Sequence, residues 1–167
     1  AISVDGKQLF IDDTIIAELE NAEKVLNQPT KHPKNPLLVR DQPWEVDEPD
    51  YTTVIYDAEE NVFKMWYAMH DPKRRPGTSQ QILAYATSED GIDWTKPLIN
   101  EQDGTNIVFY PKVPMFLSPG IFKDPVARDP QKRYKMLFSA SQDGTDGGLS
   151  TNAAYSPDGI HWTAEPK

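Results

Sequence analysis

Ser88-Glu89-Asp90-Gly91-Ile92-Asp93-Trp94-Thr95 is said twice in this chain. It returns as Ser156-Pro157-Asp158-Gly159-Ile160-His161-Trp162-Thr163, at an offset of 68 residues (88 to 156). Both copies read S-x-D-G-I-x-W-T. Upstream of each lies a second matched pair: Phe63-Lys64-Met65-Trp66-Tyr67-Ala68 and Tyr134-Lys135-Met136-Leu137-Phe138-Ser139, at an offset of 71 (63 to 134). Two matched segments, in one order and at nearly one offset, define a repeat of roughly 70 residues.

Each copy has the pattern of antiparallel strands. Phe63, Met65 and Tyr67 share one face and Lys64, Trp66 and Ala68 the other, and Tyr134 to Ser139 keeps that register. Period-two alternation with aromatic residues predicts a strand, and large side chains on both faces predict a sheet packed on both sides. Ile82 to Thr87 and Asn152 to Tyr155 read as the following strands, each running into an Asp-Gly turn. The Trp three residues after the Gly folds back to fill the gap between neighbouring sheets, a burial worth about 2–3 kcal/mol. Asp90 and Asp158 are then turn-forming residues, and Trp94 and Trp162 are expected to be buried in equivalent places outside any ligand cavity.

The 167 residues carry no cysteine and a formal net charge of −9. That balance argues against nucleic acid, which needs a basic footprint, and it suits a neutral ligand such as a sugar. Without cysteine there is neither a disulfide scaffold nor a zinc–thiolate site. No apolar run approaches the roughly 20 residues of a membrane span. The histidines lack metal-ligand spacing. No cofactor is expected, with Ca²⁺ held by loop oxygens left open.

Along the chain, residues 1–49 form an N-terminal strand and a Pro-rich connection. Residues 50–99 form a first four-stranded meander, with strands at Tyr51–Tyr56, Phe63–Ala68, Ile82–Thr87 and Thr95–Ile99. Residues 100–120 are a connector rich in Pro and Gly, and 121–167 start the meander again, truncated in its last strand. Tandem four-stranded meanders describe the blades of a β-propeller. A blade needs a neighbour on each side, so the expectation is an all-β propeller of which about two blades are present. The remaining blades are expected from a longer chain or another chain.

Four elements carry a family resemblance: Ile121-Phe122-Lys123-Asp124-Pro125, Asn35-Pro36-Leu37-Leu38 followed by Trp44-Glu45, Tyr134-Lys135-Met136, and the doubled turn. Together they resemble the five-bladed β-propeller glycosidases, the superfamily of the invertase- and levanase-like glycoside hydrolases of family 32 and the arabinanase- and xylosidase-like enzymes of family 43. The likeness is nearest to bacterial relatives of family 32, covering the first two blades of five. It implies a carbohydrate-active protein, a glycoside hydrolase working on a secreted or periplasmic glycan. The alternative is a non-catalytic portion that binds glycan or protein. In family 32 the Asp of an R-D-P triplet contacts sugar hydroxyls, which implies that role for Asp124, with Lys123 where the family has Arg. The Asn-Asp-Pro-Asn-Gly nucleophile motif is absent, and Trp44-Glu45-Val46-Asp47-Glu48-Pro49-Asp50 stands nearby.

Glycoside hydrolysis uses two carboxyl groups across the scissile bond. In a propeller, the entry of each innermost strand shares a face with the loop between the second and third strands. That face would gather residues 44–50, 69–80, 112–124 and 140–150, opposite the Asp-Gly turns. The catalytic candidates are therefore Asp124, Glu45 and Asp50, and the substrate-binding candidates are Trp44, Glu48, His70 and Lys123, facing an oligo- or polysaccharide. Asp124 is expected to share a cavity with at least one of Glu45, Glu48 and Asp50. Each has a plainer reading: a strand cap for Asp124, a solvated acidic loop for Glu45, Glu48 and Asp50, a surface imidazole for His70, inter-sheet packing for Trp44. The Arg74-Arg75 pair reads as solvated charge.

Overall fold

A computed structural model describes residues 12–71, 73, 81–113, 115–141 and 148–166. The expected N-terminal turn and short strand within Val4 to Ile11, the Arg74-Arg75 pair and most of both loops between second and third strands lie outside them. Residues 1–33 form one unit, and the rest of the chain another. Within the first, residues 12–33 are turns and irregular backbone.

Among its described residues the second unit is all-β: two antiparallel four-stranded sheets and one three-residue 3-10 turn at Pro130–Lys132. Sheet 1 runs β1 (Asp50–Asp57), β2 (Val62–His70), β3 (Gln81–Ser88) and β4 (Ile107–Phe109), in sequence order. Sheet 2 repeats the meander with β5 (Met115–Lys123), β6 (Tyr134–Ser141), β7 (Leu149–Ser156) and β8 (Thr163–Ala164). No helix among the described residues is long and apolar enough to cross a membrane.

The alternation read from sequence becomes two hydrophobic layers. Trp66, Leu83, Tyr85 and Phe109 of sheet 1 face Phe116, Tyr134, Met136 and Phe138 of sheet 2. On the other face of sheet 1, Met65, Tyr67, Met69 and Ile82 are covered by Leu38, Trp44 and Trp94. Sheet 1 is thus buried on both sides, and Trp66 and Tyr67 are wholly inaccessible. The Pro-rich connection serves as the cover for one of those sides.

The two turns have one internal structure. Ser88 Oγ accepts from Gly91 N at 2.9 Å, and Asp90 Oδ1 accepts from the Ile92 and Asp93 amides at 2.8 Å each. Ser156 and Asp158 do the same for Gly159, Ile160 and His161 at 2.8–2.9 Å. These bonds satisfy amides that the tight turn withdraws from the ladder. Burial pushes Asp158 upward, yet the bonds from His161, Ile160 and Ser156 outweigh it and hold the carboxyl at about 2.

Each turn lays its Trp on the face of its own sheet that looks toward the preceding part of the chain: Trp94 on the Met65–Tyr67 layer, Trp162 on the layer between the sheets. The burial is only partial. Trp162 lines an open cleft of about 540 Å³ with Tyr155, Ile160 and Val108, against the expectation that it lies outside every cavity. The wholly buried tryptophan is Trp66, whose Nε1 donates to the Gly159 carbonyl at 2.6 Å across the sheet interface.

Three expected boundaries shift. Thr95–Ile99 is not the fourth strand. Thr95 bridges Thr87, and then Pro97, which lacks an N–H, ends the pairing. The chain turns at Asn100–Thr105 and delivers Ile107–Phe109 to β3 instead. The inner strand of sheet 2 starts at Met115, inside the expected connector, because Ser118-Pro119-Gly120 forms a bulge within β5 with Ser118 at φ 51°. The second meander, expected to start at residue 121, has its inner strand end at Lys123, with Asp124 following it outside the strand.

Gly91 and Gly159 both sit at positive φ, 74° and 83°. A Cβ on Gly91 meets the Phe63 ring at 3.5 Å, whereas one on Gly159 meets Trp66 Cζ2 at 2.6 Å. Gly91→Ala is therefore expected to cost about 1–2 kcal/mol for backbone strain, and Gly159→Ala a further ~1–3 kcal/mol for overpacking. Urea unfolding of both variants checks this; equal midpoints would show that the turn does not lock the sheets.

Candidate functional site

The meander gives each sheet two ends. β1 and β3 enter at the end where β2 leaves, which we call the entry edge; the β1–β2 hairpin and the Asp-Gly turn occupy the hairpin edge. β5 lies beside β1 in the same direction: Ile121 N donates to Thr53 Oγ1 at 3.4 Å, and Lys123 Nζ to Asp57 Oδ1 at 2.6 Å.

The entry edge of sheet 1 gathers Asp50, which pairs with Ala68, and His70 at the end of β2. Asp47 holds this histidine twice. Its Oδ1 accepts from the His70 amide at 3.0 Å, and its Oδ2 contacts imidazole Nδ1. Glu48, Asp50 and His70 are exposed. Further along the same end, buried Asp71 accepts from Lys73 N at 2.9 Å, and Asp103 accepts from Tyr110 OH at 2.7 Å and pairs with Lys73. The arrangement offers an oriented imidazole beside solvent-facing carboxylates, groups suited to proton transfer and to binding hydroxyls.

Glu45 and Trp44 belong elsewhere, under the Pro-rich cover. Glu45 Oε2 accepts from the Asp41 and Gln42 amides at 3.0 Å each and from Lys96 Nζ at 2.7 Å, and Oε1 accepts from Tyr67 OH at 2.8 Å. Asn106 joins the set: its Nδ2 donates to Tyr67 OH at 2.7 Å, and its Oδ1 accepts from Trp44 Nε1 at 2.8 Å. Burial pushes the Tyr67 hydroxyl far up. Glu45 is thus a buried anchor that ties the cover to sheet 1, and Trp44 packs on the Met65–Tyr67 layer.

Lys123 and Asp124 lie at the hairpin edge. The run from Asp50 to Asp57 spans about 20 Å at roughly 3.3 Å per residue, so Asp124 does not share a cavity with Glu45, Glu48 or Asp50. Its Oδ1 accepts from Val126 N at 3.0 Å and its Oδ2 pairs with Lys135. The expectation placed Lys123-Asp124 at a strand entry; the bulge in β5 lengthens the strand upstream and moves them to its exit.

Lys123 instead completes an ion network that no motif announced. Asp57, fully buried, binds Lys123 through Oδ1, and through Oδ2 binds Tyr134 OH and Lys64 Nζ, the last at 3.0 Å. Lys64 also donates to Tyr134 OH at 3.0 Å and to Glu60 at 2.7 Å. Burial pushes Asp57 up, but the bonds from Lys123, Tyr134 and Lys64 outweigh it and hold the carboxyl well below the usual carboxylate range. Burial likewise pushes Lys64 down, and bonds to Glu60, Tyr134 and Asp57 carry it above the ordinary lysine value.

No protein-family profile matches the chain, and no curated protein matches it. Among solved structures, the fold is similar to that of an N-acetylgalactosamine deacetylase from F. plautii, crystallised in complex with blood group B trisaccharide. The TM-score is 0.51, with 19% sequence identity over 80% of this chain. The chain spans 39% of that protein's length. A structural neighbour of the two-sheet fold is thus a carbohydrate-active enzyme.

Among the described residues, no group of three or more His, Asp or Glu side chains is placed to hold a metal ion. Of the residues singled out from sequence, Asp50 and His70 fall at the entry edge of sheet 1 with Glu48 just before β1; Trp44, Glu45, Lys123 and Asp124 lie elsewhere. Asp47 was missed, although its place in the acidic run 45–50 and the strand ending at His70 together could have pointed to it.

Asp57 also sets a pH dependence. A depressed carboxyl contributes stability in full above the unfolded value of about 3.9 and loses it as pH falls through the folded value. Asp57→Asn breaks a buried pair and is expected to cost about 3–5 kcal/mol at pH 7. The gap to the unsubstituted protein should narrow steadily below about pH 4, where that protein's own Asp57 loses its stabilising contribution. Urea midpoints measured across that range check it; a gap independent of pH would contradict the network.

Proposed function

We propose that the chain is two consecutive blades of a β-propeller that acts on a glycan, with the entry edge of the first sheet facing the sugar. The carrying observation is the Asp47 carboxylate fixing exposed His70 at the end where Glu48 and Asp50 also stand. In this reading His70, oriented by Asp47, moves a proton at the reacting bond, and Asp50 and Glu48 bind sugar hydroxyls or serve as the carboxyl pair of a glycoside hydrolase. The net charge of −9 suits a neutral ligand. The fold likeness to a deacetylase crystallised with a trisaccharide supports a carbohydrate as that ligand, and the family resemblance is the ground for reading the glycan as a secreted or periplasmic one.

A second reading, glycan binding without cleavage, is favoured by one specific observation. Glu45 and Asp124, two of the three carboxyl groups expected to perform hydrolysis, are engaged by Lys96 and Lys135.

The full protein, incubated with neutral and N-acetylated oligosaccharides, separates the readings. New reducing ends report glycosidic cleavage, released acetate reports deacetylation, and calorimetry reports binding alone. We expect His70→Ala and Asp50→Asn each to lower turnover about 100-fold, the scale of a lost transition-state contact, while Asp124→Asn leaves it within about threefold. In the binding-only case the same two variants weaken affinity about tenfold, the loss of one good contact. An unchanged signal in both variants, or no response to any sugar, contradicts the proposal.

A further inference from the structure

Two strained residues stand at one place in the repeat. Among the described residues, four that are not glycine have a left-handed backbone: Asn21, Tyr51, Asn61 and Ser118. Asparagine tolerates that conformation in a turn, and Asn61 sits in the β1–β2 hairpin. Tyr51, at φ 44°, and Ser118, at φ 51°, instead lie inside β1 and β5. A bulky side chain at such an angle is strained.

The register shows how both arise. Asp50 pairs with Ala68 and Thr53 with Trp66, so Tyr51 and Thr52 together oppose Tyr67 alone. Leu117 pairs with Ser139 and Gly120 with Leu137, so Ser118 and Pro119 together oppose Phe138 alone. Each inner strand thus carries one extra residue, and at the same point. Tyr51 lies five residues before Tyr56, the partner of Phe63, and Ser118 five before Lys123, the partner of Tyr134. The bulges are also level with each other: Thr53 Oγ1 meets Ile121 N, and in both strands the bulge lies just upstream of that contact.

Glycine fills the left-handed position of a bulge without strain. Here a phenol and a hydroxyl take its place. Both residues are exposed, Tyr51 at 40%, and among the described residues neither side chain hydrogen-bonds to protein. The Tyr51 amide donates to Asp50 Oδ1 at 2.8 Å, so the first bulge also fixes that carboxylate. Bulges re-aim side chains beside binding sites, and backbone strain is retained where a ligand uses the strained group.

We propose that Tyr51 and Ser118 are specificity-determining residues of the entry edge, the Tyr51 ring taking the apolar C–H face of a neutral pyranose and Ser118 Oγ one of its hydroxyls. This rests on the glycan reading of that edge and extends the site from Asp50 onto the inner strand of sheet 2. An aromatic ring with a few polar groups is the usual lining of a small-ligand site. The neighbouring carboxylates of Glu48 and Asp50 disfavour an acidic sugar there.

The test titrates the full protein by calorimetry with the neutral oligosaccharide, from the panel above, that it binds most tightly. Tyr51→Gly removes ring and strain together, so it is expected to hold or raise the urea midpoint yet weaken affinity about tenfold, the loss of one good contact. Tyr51→Asn, which tolerates the same φ, should match it, and Tyr51→Phe should keep affinity within about threefold. Ser118→Gly should weaken affinity about fivefold, within the range of one neutral hydrogen bond, again with no loss of stability. Asn61→Gly relieves a left-handed residue at the hairpin edge and should leave affinity unchanged. Undiminished affinity in Tyr51→Gly and Ser118→Gly would make the bulges purely structural and overturn the proposal. A tenfold loss in Tyr51→Phe would overturn the role of the ring, and a urea midpoint that falls in both Tyr51→Gly and Tyr51→Asn would make it a packing group. If His70→Ala weakens the sugar and Tyr51→Gly does not, this proposal falls and the reading of the entry edge stands. If no sugar is bound at all, both fall.

Discussion

The placement of one sheet on the other depends on a single buried carboxylate. Asp57 ends the inner strand of sheet 1 and is buried where the two sheets meet, with Lys64 from its own sheet and Lys123 and Tyr134 from the next. A buried carboxylate is costly unless it is paired and its lone pairs are filled, and only the correctly docked second sheet fills them. The apolar layer of Trp66, Tyr85, Phe116 and Phe138 supplies most of the attraction. The charged seam adds geometry: it rewards one placement of sheet 2 and penalises a slipped one, because a slip takes Lys123 and Tyr134 from Asp57 and Tyr134 from Lys64. Trp66 reinforces that placement through its bond to Gly159, at a turn whose own shape is set by Ser156 and Asp158.

This division of labour explains where function can reside. The hairpin edge is occupied by ion pairs and turn bonds that hold sheets together, and Lys123 and Asp124 are spent there. The Pro-rich cover uses Glu45 and Trp44 in the same way on the other face. The entry edge of sheet 1 keeps Glu48, Asp50 and His70 at the surface, free of that structural duty, with Asp47 positioning the histidine. Asp57 at the hairpin edge is thus buried and paired, while Glu48 and Asp50 at the entry edge are exposed.

Much of the fold was legible in the sequence because its signals are local. The doubled S-x-D-G-I-x-W-T forms the expected turns through bonds that reach no more than three residues, and β2 and β6 appear where period-two alternation placed them. The strand boundaries were less legible. Ser118-Pro119-Gly120 has the composition of a loop but forms a bulge inside β5, and Pro97 halts a run that otherwise looks like a strand. That bulge displaced Asp124 from one end of the sheet to the other, and with it the expected site. Lys123 and Tyr134, which meet Asp57, and Tyr67 and Lys96, which meet Glu45, lie 22 to 77 residues away along the chain, so the nearby partners alone do not signal that either carboxylate is buried. The exposure of His70, Glu48 and Asp50 agrees with their reading as surface groups, because strand ends and an acidic loop can be read without knowing those distant partners.

The most direct measurement is a double-mutant cycle between Asp57 and Lys123, using Asp57→Asn and Lys123→Met singly and together, with unfolding free energies from urea titration. If the seam locks the sheets, the two residues are coupled by about 1–3 kcal/mol, the range of residues sharing one buried network. A coupling below about 0.3 kcal/mol, the scatter expected of independent sites, would contradict the account and return Lys123 to the list of ligand-facing residues.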